Sequence, residues 1–127
     1  LSEVTAILTE SNVNIRALAL ADTSDFGVLR LIVDDTQKAI STLKNNGFTV
    51  GKTHVVAAEV ADRPGGLHEI LTMLHEAAIN VEYMYAFVRT SGDNAVMIFR
   101  IEEDRKAVDL LQSKGVNVID GERLYSL

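Results

Sequence analysis

From position 67 onward, Leu67, Ile70, Leu71, Leu74 and Ala78 recur every three or four residues, with His68, Glu69, Thr72, His75 and Glu76 between them. That period predicts an amphipathic helix over 67–78. Before it, THVVAAEV (53–60) is rich in β-branched residues and stops at Asp-Arg-Pro-Gly-Gly, which predicts a strand and then a turn. After it, INVEYMYAFVRT (79–90) reads as a strand. Its alternation places Ile79, Val81, Tyr83, Tyr85 and Phe87 on one face and Met84, Ala86 and Val88 on the other. SGDN (91–94) supplies a hairpin turn, and AVMIFRI (95–101) is the returning strand. EEDRKAVDLLQSKG (102–115) has acids at its start, Ala107, Val108 and Leu111 on one face, and Gly115 in the helix-stop position. VNVI (116–119) is a last short strand.

The same pattern occurs earlier in the chain. Leu1, Glu3, Leu8, Glu10 and Asn14 recur 66 positions later as Leu67, Glu69, Leu74, Glu76 and Asn80. After a two-residue slip, Val28, Lys38, Ala39, Leu43, Gly47 and Val50 recur 68 positions later as Val96, Lys106, Ala107, Leu111, Gly115 and Val118. An internal repeat of this kind governs the reading of the whole fold. The first copy then predicts a helix at about 1–12, strands at about 13–22 and 27–33, a helix at about 35–46 and a strand at about 48–52.

The second copy has the order β-α-β-β-α-β. Right-handed crossovers turn that order into a four-stranded antiparallel sheet with two helices on one face, the ferredoxin-like plan. The expected fold class is therefore α+β, with two such units in tandem: 1–52 and 53–127. The first unit opens inside its first helix, so its first strand and first turn are expected to precede Leu1. ERLYSL (122–127) is a weaker candidate for that strand. Apolar residues mark both faces of the strands, and helices cover one face only. The other face must pack on a second sheet or subunit, which predicts a homodimer.

Charge and composition remove several functions. The chain has 127 residues and a net charge of -6, so nucleic acid and anionic membranes are not expected partners. It has no cysteine, which excludes a disulfide framework and cysteine-ligated zinc and agrees with the expected cytoplasmic location. No apolar run is long enough to span a bilayer, and no signal peptide is visible.

A strand, then D-R-P-G-G-L (62–67), then a helix ending in A-I-N-V (78–81), then two strands, resembles an ACT domain. The first copy keeps the matching S-N-V-N-I (11–15) but not the D-x-P-G part. As a tandem pair the resemblance covers nearly the whole chain. It implies a regulatory module that binds a free amino acid or a related small metabolite between two ACT units. It also implies that Asp62, Arg63, Pro64, Gly65, Gly66 and Leu67 form one wall of the site. Asn12, Val13, Asn14 and Ile15 would form the opposite wall, with Asn80 and Val81 in the mirror site.

The chemistry of those residues agrees with that implication. Gly65 and Gly66 let a ligand approach the backbone. They precede a helix whose first N–H groups lack intrahelical partners and favour a carboxylate. The Asn14 or Asn80 side-chain oxygens, or nearby strand carbonyls, can accept from an ammonium group. On this reading Gly66→Ala should weaken binding and leave the fold intact. The blander readings are that Pro and Gly merely start a helix and that Asn merely ends one. Asp62 either contacts the ligand or caps the turn.

Other residues point to no chemistry. His68 and His75 lie seven apart, not three or four as in metal pairs on a helix, and read as a solvated face. Tyr83, Tyr85 and Phe87 read as packing surface, not base-stacking platforms. No nucleophile motif, metal site or cofactor fingerprint is present, and Arg63 in its Pro-Gly-Gly setting does not resemble the phosphate cradle of an acylphosphatase. The expected function is a non-enzymatic amino-acid sensor whose binding state is read by an enzyme or transcription partner. The alternative is a regulatory subunit or fragment of a biosynthetic enzyme such as aspartate kinase or acetolactate synthase.

Overall fold

The structure is a computed structural model that describes residues 1–22, 27–87, 94–121 and 124. The chain divides into a first compact unit, Leu1–Thr53, and a second that begins at His54. The first contains α1 (Ser2–Glu10), β1 (Ile15–Asp22), β2 (Gly27–Val33) and α2 (Thr36–Asn45). The second contains β3 (Val56–Ala61), α3 (Gly66–Glu76), β4 (Tyr83–Ala86), β5 (Asn94–Arg100), α4 (Asp104–Ser113) and β6 (Val118–Ile119).

The second unit has the ferredoxin-like plan. Its sheet runs β4-β5-β3-β6, with every neighbouring pair antiparallel and β3, the first strand of the unit, in the interior. Alternation along β3 sends Val56, Ala58 and Val60 to the helix side. There they meet Ile70 and Leu74 of α3, Phe99 of β5, and Ala107 and Leu111 of α4. Ala57, Val96 and Ile98 occupy the alternate positions, so the other face of the sheet is apolar as well. The first unit has its own core, in which Leu8, Val13, Val33, Ala39 and Leu43 meet.

The two units share one strand register. Leu18 is opposite Leu31 in the first, and Met84 is opposite Phe99 in the second. Leu20–Leu29 and Ala86–Met97 correspond in the same way. The repeat read at offsets of 66 and 68 is thus reproduced in the ladders.

The helix ends also match. α1, α2, α3 and α4 are each followed by a residue in the left-handed region: Asn12 (φ 58°), Gly47 (φ 87°), Ala78 (φ 57°) and Gly115 (φ 82°). In each case the next residue donates to the last turn, with Val13 to Leu8, Phe48 to Leu43, Ile79 to Leu74 and Val116 to Leu111, at 2.9–3.1 Å. This double-bonded ending satisfies carbonyls that the helix leaves open. At the other end of α2, the Asp35 side chain accepts from the Lys38 N–H at 3.1 Å.

Three expectations are corrected. First, residues 48–52 form no ladder, although Phe48 and Val50 pack on the first core. In the second unit the equivalent strand, β6, pairs with β3, and the first unit as described has no such strand to offer. Second, Ile79 and Val81 do not share a face with Tyr83 and Tyr85. They join the helix-side core with Met84, because Ala78 turns the chain in the left-handed region and the two-residue period starts only at Tyr83. Ala78 itself is exposed, and Met73 and Ala77 pack on the core instead. Third, Leu124 lies in a helical turn, its N–H donating to the Asp120 carbonyl at 2.9 Å, and not in a strand. Val88, Arg89, Thr90, the turn residues 91–93 and most of 122–127 lie outside the described residues.

Candidate functional site

The glycine turn is built from two successive backbone bonds. The Arg63 N–H donates to the Ala61 carbonyl at 2.9 Å, and the Gly66 N–H donates to the Arg63 carbonyl at 3.0 Å. Pro64 supplies the fixed φ of the first central position in the second turn. Gly65 sits at φ 87°, ψ -11°, the second central position of a type II turn, which requires positive φ. The sequence Arg-Pro-Gly-Gly therefore dictates this geometry locally.

Gly65 is also the N-cap residue of α3, and no side chain caps the helix. Asp62 is exposed and does not cap it, so the capping alternative for Asp62 falls. The Gly66 N–H is engaged within the turn, which leaves the Leu67 and His68 N–H groups as the ones without intrahelical partners. Arg63 reaches forward to Glu69, Nη2 to Oε1 at 2.9 Å, with both side chains more than half exposed. Such a pair orients the turn more than it stabilises it.

The two glycines have different reasons to be glycine. A β-carbon on Gly65 would meet nothing within 4 Å, so only its backbone angle excludes other residues. Gly66 is buried, and a β-carbon there would overlap the Ala61 carbonyl oxygen. The expectation that Gly66→Ala would leave the fold intact is corrected on this ground: Gly66 is held by packing of α3 on β3.

Below the turn lies a groove of about 290 Å³. Gly66, Glu69 and Met73 line one side, Glu59 and Ala61 of β3 the floor, and Asn94, Lys114 and Asn117 the rest. The Glu59 carboxylate accepts from the Asn94 side-chain amide at 3.2 Å. The groove thus presents carboxylates and an ammonium beside an uncapped helix start.

The second set of expected residues lies in the helix-to-strand loops. In the first unit, Asn14 is exposed and its backbone is fixed by Asp34 on both sides: the Asn14 N–H donates to Asp34 Oδ1 at 2.9 Å, and the Asp34 N–H donates to the Asn14 carbonyl at 3.1 Å. Val13 and Ile15 point to the core, so they can offer a ligand only backbone. Asn12 is the left-handed residue after α1. In the second unit, Asn80 is exposed and Val81 packs on the core. Asn80 lines a depression of about 440 Å³ with Ala78, Glu82, Glu102 and Glu103. Glu82 pairs with Arg100 at 3.1 Å. Glu103 in turn lies 3.9 Å from Lys106, so two of the three carboxylates already face a cation of the same unit.

Within the second unit the glycine turn and the Asn80 loop stand at opposite ends of α3, an 11-residue helix and so about 16 Å long. A ligand of amino-acid size cannot touch both.

Glu82, Glu102, Glu103, Glu59 and Lys114 were not anticipated. The acid pair Glu102–Glu103 was available from the repeat, because it aligns with Asp34–Asp35 at the 68-residue offset. Glu59 and Lys114 carried no such signal, since their convergence depends on the loop after α4. His68 is exposed, with its Nε2 3.4 Å from the Thr72 hydroxyl, and His75 is exposed too. Tyr83 and Tyr85 stack on each other with ring centres 6.4 Å apart. Among the described residues no group of three or more His, Asp or Glu side chains is placed to hold a metal ion. No helix among them is long and apolar enough to cross a membrane.

A family described as an ACT domain pair matches residues 1–127. The crystal structure of protein BT0572 from Bacteroides thetaiotaomicron is similar at 36% identity, with a TM-score of 0.92, over 99% of this chain and 86% of that one. Aspartate kinase from Synechocystis is similar at 21% identity and a TM-score of 0.40, over 93% of this chain and 25% of that one. No curated relative matches.

Proposed function

Because the chain belongs to the ACT domain pair family, whose units are ligand-binding regulatory modules, we propose that it is a non-enzymatic sensor of a free amino acid or a close metabolite. The observation that carries this reading is the start of α3, where Gly65 takes the N-cap position and leaves the helix without a side-chain cap. The Leu67 and His68 N–H groups there suit a carboxylate. Asn80 or Asn14, each in an exposed loop, suits the ammonium group.

Since the two half-sites of one unit are separated by the length of α3, each ligand is held by the turn of one ACT unit and the helix-to-strand loop of another. In this reading Asp62, Arg63, Pro64, Gly65, Gly66 and Leu67 make the first wall, and Asn12, Val13, Asn14 and Ile15 the second. Asn80 and Val81 serve the mirror site. Binding favours one arrangement of the units over another, and an enzyme or transcription partner in the cytoplasm reads the difference. The protein acts as a homodimer.

Titration calorimetry of the folded protein against the twenty amino acids is the test. One or a few should bind, and the rest should not. Heat from none of them, with the protein folded, overturns the proposal.

A further inference from the structure

The two asparagine loops are held in different ways. In the first unit Asp34 clasps Asn14 twice: its Oδ1 accepts from the Asn14 N–H at 2.9 Å, and its own N–H donates to the Asn14 carbonyl at 3.1 Å. These bonds carry the β1–β2 ladder past its last pair, Ile15 and Val33. In the second unit the residues matching Asn14 and Asp34, at offsets of 66 and 68, are Asn80 and Glu102. Both are exposed, and no such pair of bonds joins them. Among the described residues their side chains make no hydrogen bond or ion pair. Asp34 and Glu102 carry the same charge, so the loops differ in bonding and not in the sign of their field.

The strand starts show the same difference. The nearest tie in the second unit is at Glu82, whose N–H donates to the Arg100 carbonyl at 2.9 Å and whose carboxylate pairs with Arg100 Nε at 3.1 Å. Arg100 Nη1 donates in turn to the His54 carbonyl at 3.2 Å. Accordingly β1 begins at Ile15, whereas β4 begins at Tyr83, the counterpart of Ala17. A loop clasped at its own asparagine keeps one backbone path, while a loop tied only further along the strand opens at lower cost. Fixing a contact surface before a ligand arrives removes the cost of ordering it from binding.

We propose that Asp34 is the positioning residue of the first unit's ligand wall: it fixes Asn14 in the ligand-free protein, whereas the Asn80 loop takes its bound form only on binding. The proposal rests on the reading of the asparagine loops as ligand contacts. Asp34 acts through the Asn14 backbone, because its Oδ1 is engaged by the Asn14 N–H. What it supplies is the orientation of the Asn14 side chain toward an ammonium group. The two loops are then one rigid and one adjustable contact, not two copies of the same contact.

Amide exchange of the ligand-free protein is the first test. The protection factor of the Asn14 N–H should exceed that of the Asn80 N–H by about tenfold or more. Asp34→Ala should abolish the difference, Asp34→Asn should keep most of it because its side-chain oxygen still accepts, and Glu102→Ala should leave Asn80 unchanged. Equal protection in the parent, or protection of Asn14 that survives Asp34→Ala, overturns the proposal. Should the alanine variant not fold, Asp34→Glu, which copies the second unit, takes its place with the same expected loss. Calorimetry of the parent and the variants against the twenty amino acids, titrated singly, is the second test. An amino acid that binds should lose about threefold to tenfold in affinity in Asp34→Ala, recover it in Asp34→Asn, and change by less than about twofold in Glu102→Ala. Unchanged affinity in Asp34→Ala overturns the proposal and leaves the amino-acid reading standing. Heat from none of the twenty in the folded parent overturns the amino-acid reading, and the ligand role of Asp34 with it.

Discussion

The carbonyl oxygen of Ala61 occupies the space where a β-carbon on Gly66 would project. The start of α3 can rest on the end of β3 only because position 66 has no side chain. Gly66→Ala should therefore cost stability, about 1–3 kcal/mol, as overpacking does. Denaturant unfolding checks this. A variant as stable as the parent would mean that α3 can lift off β3 freely.

Gly65 makes the contrasting case. Its β-carbon would meet open space, and the cost of Gly65→Ala is the left-handed backbone, about 1–2 kcal/mol. Gly65→Asn should recover part of that loss, because Asn tolerates the left-handed region. Gly66→Asn should recover nothing. Comparing the four unfolding midpoints separates conformational from steric need at adjacent positions.

Ala78 holds a left-handed angle that asparagine holds at the equivalent Asn12 and glycine at Gly47 and Gly115. Ala78→Gly should stabilise the protein by about 0.5–1 kcal/mol, the relief of strain less the entropy of glycine. Asn12→Gly should be nearly neutral. A thermal melt of both variants tests the contrast, and a lower melting temperature for Ala78→Gly would refute it.

Asp35 caps α2 through its bond to the Lys38 N–H, whereas Glu103, its counterpart before α4, makes no side-chain cap. Asp35→Ala should cost about 1 kcal/mol and Glu103→Ala much less. Chemical denaturation of the two variants should rank them in that order.

Asp62 is exposed and caps nothing, so Asp62→Ala should leave the melting temperature unchanged. If it faces the ligand, affinity for the amino acid found by calorimetry should fall roughly tenfold, the loss of one charge-assisted contact. Unaltered affinity would remove Asp62 from the site.

The parts of this fold that the sequence revealed are those encoded by spacing. The repeat predicts which strands pair, and the equivalence of Leu18–Leu31 with Met84–Phe99 follows from its two offsets. Gly47 and Gly115 announce helix ends because few other residues take that angle. The misreadings have two physical causes: a partner that lies elsewhere in the sequence, or a backbone turn that resets the two-residue period. Phe48 and Val50 have a strand-like pattern, but a strand needs a partner and the pattern does not supply one. Ile79 and Val81 alternate with polar residues, yet the turn at Ala78 decides their direction. Pro64, Gly65 and Gly66 mark the turn plainly, while the approach of Gly66 to Ala61 is a distance that no local pattern contains. The carboxylates around Asn80 converge from two separate loops; the repeat marks the Glu102–Glu103 pair through Asp34–Asp35, but not that the pair meets Glu82.

The uncapped start of α3 gives the protein an internal reporter. With Gly66 engaged by Arg63, the Leu67 and His68 amides are the ones whose exchange with solvent depends on what sits at the turn. A bound carboxylate would silence those two signals and leave the amides in the middle of α3 as they were. Occupancy can thus be followed at two backbone positions, without a label and before the identity of the ligand is known.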